Sequence, residues 1–163
     1  EQLDDELLRI SKESFDALSF NCYALSPDHE KMNHALEISG LPMIIGEYHF
    51  GTVDRGLAQS LWQVNSQKER GDAFRYYTEN AFAHRGLIGT GWFRWIDQNI
   101  NGRTDGENYN CGFIDVTDRP YPYMVDAAIK TAKSLYEIHS GTKTPFHQAP
   151  NAVGHSPIPD LWE

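Results

Sequence analysis

The chain has 163 residues, 40% of them hydrophobic, and a formal net charge of -9 at pH 7. That length suffices for one domain with a real core, and that composition excludes intrinsic disorder. An acidic chain without a basic run argues against a nucleic-acid partner, and no apolar run approaches the ~20 residues that a membrane-spanning helix needs.

The opening EQLDDELL is acidic and helical in character, with neither the basic start nor the apolar centre of a signal peptide. The chain does not begin with Met, which is expected of a processed chain or a piece of a longer one. Leu3, Leu7, Leu8 and Ile10 predict a helix over 3–13, and DALSFNCYA (16–24) reads as a short strand. In SPDHEKMNHALEISG, Ser26 is the expected N-cap and Pro27 the first helical residue. Met32, Ala35 and Leu36 keep the helical period, and Gly40 is the expected stop.

LPMIIGEYHF follows. Its start is apolar on both faces, as in a strand buried in a parallel sheet, and a lone carboxylate, Glu47, stands at its end. Residues 51–68 are polar and irregular, with room for a short helix over 57–64. A helix over 69–85 carries Ala73, Phe74, Tyr77, Ala81 and Phe82 in step, with Gly86 to close it. LIGTGWFRWI is a third strand. DQNINGRTDGENYNCG is a long loop full of turn formers, followed by a short extended run at FIDVT. The last helix spans 122–139, with Val125, Ile129, Ala132 and Leu135 in step and Gly141 to end it. Residues 142–163 hold four of the eight prolines and form a tail that either wraps over the body or stays mobile. There is no internal repeat and no second domain.

Strands alternating with helices predict an α/β fold with parallel strands. Three strands are few, and an open sheet of that size leaves two edges uncovered. Either further strands lie outside this sequence or the protein pairs with another copy.

In parallel α/β architectures ligand sites gather at the C-terminal ends of strands. Glu47 stands at one such end and shares a face with Met43 and Ile45 by the period of two. Asn21 and Tyr23 stand at the end of the first strand, and Trp95, Asp97 and Gln98 at the end of the third. This mixture suits a sugar: aromatic rings stack on its C–H faces, while amides and carboxylates bind its hydroxyls. Aromatics make up 12% of the chain, which serves such stacking and equally an aromatic core. Cys22 and Cys111 are too far apart in sequence for a metal or redox motif and read as reduced, partly buried thiols. The seven His contain no HExxH, no Gly-rich phosphate loop follows a strand and no Ser sits in a nucleophile elbow. No metal and no cofactor are expected.

The runs SFNCYA, IIGEYHFG, GTGWFRWIDQ and GRTDGENYNCGFIDVTDRPYP, with the closing helix, resemble the last part of a (β/α)8 glycoside hydrolase, most like the family-50 β-agarases and their β-galactosidase-like relatives. The resemblance covers about residues 5–141 and implies a partial TIM barrel of about strands six to eight with their helices. It also implies a domain division into barrel (1–141) and tail (142–163), a galactose-containing polysaccharide as substrate, and a secreted or periplasmic location. It would make Glu47 the nucleophile at the seventh strand, Tyr23 its phenolic partner and Trp95 the floor of the sugar site. Such retaining hydrolysis needs two carboxyl groups about 5–5.5 Å apart, one ionised to attack and one protonated to donate. Tyr23 and His49 would donate hydrogen bonds to the attacking one. The family's proton donor stands in an Asn-Glu pair at the fourth strand, and no such pair precedes Glu47. Glu107 is not assigned that role. The chain would then hold half of the catalytic pair, be inactive alone, and need the remainder of the barrel or self-association.

Plainer readings stand beside these. Glu47 caps the following loop or pairs with Arg55. Tyr23 is a packing tyrosine and His49 a satisfied core histidine. Trp62 is a lid or surface aromatic. Of Trp92 and Trp95 only one points inward, with Trp95 favoured. Arg103, Asp105, Glu107 and Asn108 contact substrate or hold their loop in shape, while Asp115 and Asp118 are structural. The competing function is a non-catalytic carbohydrate-binding or interaction module.

Overall fold

A computed structural model of the chain describes residues 4–155. Helix α1 (Asp5–Ser14) starts at Asp4, whose side chain accepts from the Leu7 amide. Strand β1 (Leu18–Asn21) leads to α2 (His29–Ser39). The cap of α2 is Asp28, which accepts from the Glu30 and Lys31 amides, rather than the expected Ser26. Aspartate caps as well as serine does, and Asp28 offers a cap two residues further along. Gly40 ends α2 with a left-handed φ of 66°, as expected.

Strand β2 (Met43–Tyr48) is followed by an irregular stretch in which β3 (Trp62–Gln63) replaces the expected helix over 57–64. Helix α3 (Gln67–Phe82) ends at Ala83, not at Gly86. Gly86 serves packing instead: a Cβ there would stand 2.9 Å from Leu36 Cδ2. Strand β4 (Leu87–Trp92) is shorter than the expected third strand, and the run 113–117 makes only isolated bridges through Ile114. Helix α4 (Pro122–His139) and strand β5 (Val153–Gly154) complete the described chain.

Strands β1, β2 and β4 form a parallel sheet in the order β1-β2-β4. Helices α1, α2 and α3 cover one face, where Leu8, Met32, Ala73 and Tyr77 meet Leu18, Phe20, Met43, Ile45 and Leu87 in one core. Among the described residues the opposite face is uncovered: Ser19 and Asn21 are exposed, and Ile88 is 57% exposed.

α4 packs on α3 with Met124, Ala127, Thr131, Ser134 and Ile138, which are buried. The expected stripe of Val125, Ile129 and Ala132 faces solvent instead. The helix carries two stripes of small or apolar residues, and the periodicity was satisfied by the wrong one. The tail wraps, as one of the two expectations held: Ala152 joins the core and β5 pairs antiparallel with β3. Its last residues, 156–163, lie outside the described ones. No helix among the described residues is long and apolar enough to cross a membrane.

Candidate active site

The ladder between β1 and β2 pairs Phe20 with Ile45 and then Asn21 with Glu47, so Gly46 is one residue extra. The β2–β4 ladder is irregular at the same place, between Ile45 and Tyr48. A bulge flips the faces that follow it. Glu47 therefore does not share the face of Met43 and Ile45, as strict alternation predicted. It stands beside Asn21 on the uncovered face, while Tyr48 turns into the helical layer and stacks on Tyr77 of α3, with ring centroids 4.0 Å apart. Glycine is required at position 91, where a Cβ would lie 2.4 Å from the Gly46 carbonyl oxygen; a Cβ on Gly46 would lie 2.9 Å from Asn21 Oδ1, a side-chain end that can move aside.

Glu47 is half-buried, and the Tyr23 hydroxyl donates to its Oε2 at 2.8 Å. Among the described residues no other group hydrogen-bonds this carboxylate. Arg55 pairs with Asp54 (3.9 Å) instead, and no loop amide is capped by Glu47, so both plain readings of this residue lose their partners. Burial first, and then the Glu47 bond and charge, push the Tyr23 phenol well above its ordinary pKa, with a smaller contribution from Glu107. Tyr23 stays a neutral donor at any physiological pH.

His49 is buried. Its Nε2 accepts from the Leu61 amide at 3.1 Å, which leaves Nδ1 to donate to the Phe93 carbonyl at 3.1 Å. Both nitrogens are thus engaged, and His49 reaches neither Glu47 nor a sugar through them, against expectation. Its ring packs edge-on against Tyr23, 4.9 Å between centroids. Burial lowers its pKa from 6.5 to about 3, so the ring is neutral.

Asn21 is exposed beside Glu47. Trp95 is 68% exposed and stacks on Phe113, while Trp92 lies among Tyr48, Phe50 and Phe74 and donates its indole N–H to the Cys111 carbonyl. β4 ends at Trp92, so Trp95 owes its exposure to the loop and not to strand alternation. Gln98 is fully buried, donates to Glu107 and accepts from the Tyr109 amide, which staples the loop. Arg103 spans Asp105 and Glu107, and Asn108 bonds the Ala58 amide and the Ile100 carbonyl. These bonds give Arg103, Glu107 and Asn108 the loop-shaping role that the sequence left open. Asp115 likewise holds a turn through Thr117 and Arg119.

A buried polar cluster behind this loop escaped the sequence reading. Arg70 of α3 is fully buried and donates to Gln67, Asn110 and the carbonyls of Phe50 and Gly112. Asp97 accepts from Asn110, Tyr121 and the Gly112 amide, at 2.6–2.8 Å. The sequence signal was an arginine in step with the apolar stripe of Ala73, Phe74 and Tyr77.

No protein-family profile matches the chain. Over 128 residues it is 40% identical to β-agarase A of Vibrio sp. (strain JT0107), covering 74% of this chain. The solved structure of an exo-β-agarase superposes with a TM-score of 0.77 at 35% identity, covering 82% of this chain and 18% of that one. A second agarase structure gives 0.79 at 37% identity, covering 84% and 20%. Its homologues are family-50 β-agarases. The chain spans 13% of the length of the curated agarases it matches. Its parallel sheet and flanking helices are the part of the fold that these agarase structures share with it.

Proposed function

We propose that the chain is the C-terminal part of a retaining (β/α)8 glycoside hydrolase that acts on a galactose-containing polysaccharide such as agarose. It supplies about strands six to eight, residues 1–141 belonging to the barrel and 142–163 forming an appended tail. Glu47 is the nucleophile. The proton donor comes from sequence outside this chain.

One observation carries this reading: a bulge turns Glu47 out of the helical layer, beside Asn21, with a phenol as its one hydrogen-bond partner among the described residues. A carboxylate kept only for structure would be expected to hold a cation or a loop amide, and Glu47 holds neither. In a retaining mechanism Oε1 or Oε2 attacks the anomeric carbon, the leaving oxygen takes a proton from the distant acid, and water later releases the sugar. Tyr23 orients the attacking group and stays protonated throughout. Asn21 is placed to meet a sugar hydroxyl, and exposed Trp95 offers a stacking surface. His49 acts on Tyr23 through its ring, not on the sugar. A polymer too large to cross a membrane is degraded outside the cytoplasm, which supports a secreted or periplasmic site of action.

The partner implied is the remainder of the barrel. The uncovered sheet face and the solvent-facing stripe of α4 are the surfaces it would cover. The test joins the chain to its upstream sequence and measures reducing sugar released from agarose. Activity is expected, and Glu47→Gln is expected to lower it by about 10³-fold or more. Activity that survives this substitution removes Glu47 as nucleophile; sugar binding without hydrolysis favours a carbohydrate-binding module.

A further inference from the structure

We propose that the C-terminal tail is a strap that positions the Tyr23–Glu47 pair by holding Trp62, a role whose catalytic meaning rests on the reading above. Tyr23 lies one residue past the last bond between β1 and β2, the Cys22 amide on the Glu47 carbonyl, and has no strand partner of its own. Two groups hold it instead. The Trp62 indole donates Nε1–H to the Tyr23 carbonyl at 2.7 Å, and His49, bonded to the Leu61 amide, packs on the Tyr23 ring. Both supports come from or are anchored by residues 61–63.

That segment is held on both sides. On one side Gly51, just past the site, donates to the Trp62 carbonyl and accepts from the Val64 amide. On the other side runs the tail, with Gly154 opposite Trp62, Val153 opposite Gln63, and the His155 amide on the Leu61 carbonyl at 2.7 Å. Gly154 lies so close to the indole that a Cβ there would stand 3.1 Å from Trp62 Cζ2. A single Cβ there makes the ring or the tail give by a few tenths of an ångström, and the branched side chain of valine asks for more.

The tail is anchored far from the site as well. The Phe146 amide donates to buried Glu79, its carbonyl accepts from Asn80, and its ring lies under the Arg75 guanidinium. From Glu79 back to Gln67, α3 spans about 18 Å, and seven extended residues from Phe146 to Val153 reach about 23 Å. The tail is therefore long enough to bridge from the far end of α3 to β3, and Pro150 within that span favours an extended path. The strand pairing at its end is two residues long and exposed, so it can open while the core stays folded.

Gly154→Val and truncation after residue 152 both release the strap, the first by bulk and the second by deletion, and both keep Ala152. Hydrogen exchange in the chain is expected to rise in residues 61–64 and in 22–25, and to stay unchanged in α3 and β2. In the protein joined to its upstream sequence, each variant is expected to lower kcat about 10-fold with KM unchanged. This loss should vanish in a Trp62→Phe background, because the indole that transmits it is gone. Exchange that rises in 61–64 but not in 22–25 overturns the proposal, as does a kcat loss of equal size with and without Trp62. Exchange that rises throughout α3 and β2 in both variants makes the tail part of the folding core and also overturns it. If the unaltered joined protein releases no sugar, the hydrolase reading fails while the exchange result still decides the strap.

Discussion

At the scale of single residues, Tyr23 and His49 separate two functions that the sequence had merged. Tyr23 touches the carboxylate; His49 hydrogen-bonds to backbone groups alone and packs its ring against those of Tyr23, Phe93 and Tyr109. In the joined protein Tyr23→Phe removes one hydrogen bond to a charged acceptor, worth about 1.5–3 kcal/mol. The expected result is a kcat lowered about 10- to 100-fold with little change in KM, read in steady-state assays. His49 predicts a pH dependence of stability. Its pKa is lowered from 6.5 to about 3 on folding, so between those values the unfolded chain binds the extra proton. Stability then rises with pH across this window and is lost as pH falls through it, by about 1.4 kcal/mol per pH unit. Urea midpoints of the wild type should drop from pH 6.5 towards pH 3 more steeply than those of His49→Asn, which has no such group. Equal slopes would show that His49 is hydrated or already charged in the folded protein.

At the scale of elements, the three parallel strands and the four helices were legible because their signals are local: alternation or burial runs, caps and stops. Glu47 was legible too, as a charge that ends an apolar run. What failed needed information from other elements. The bulge at Gly46 follows from the register against two neighbouring strands, and no periodicity within β2 announces it. The face of α4 was misread because its inward stripe contains Thr131 and Ser134, which look like surface residues until Glu79 of α3 is seen to accept from Thr131. Gln98, Arg103, Glu107 and Asn108 carry the polar groups that a sugar wants, and the structure adds that these same groups also bond to the loop and its surroundings. The Asp97–Arg70 cluster behind that loop gives a prediction at this scale. Asp97→Ala leaves the Asn110 amide, the Tyr121 hydroxyl and the Gly112 amide without their acceptor in a buried site. The expected cost is about 3–5 kcal/mol, seen as a lower denaturation midpoint together with protease cleavage within residues 99–110.

At the scale of the whole molecule, the surface left uncovered says what the fold lacks. A solvated sheet face should alternate with polar side chains, yet Ile88 stands on it more than half exposed, and both outer strands, β1 and β4, carry free edges. On α4, Val125, Ile129 and Tyr136 form an apolar stripe at helical spacing on the side away from α3, and Tyr136 is 88% exposed. Two such surfaces at separate places are more than scattered exposure on a monomer and resemble the cut faces of a larger core. In the chain alone they have no partner except another copy. Light scattering should therefore find the isolated 163-residue chain associating in a concentration-dependent way, and heating should give a broad transition in place of a sharp one. Val125→Glu with Ile129→Glu places like charges on the α4 stripe without touching the α3–α4 contact. It should lower the association of the isolated chain at unchanged helix content. In the joined protein the same pair should be destabilising, because the stripe is then buried against the neighbouring helix. A well-behaved monomer that melts cooperatively, with the pair neutral in both settings, would mean that the described sheet and helices are a finished domain rather than a section of a barrel.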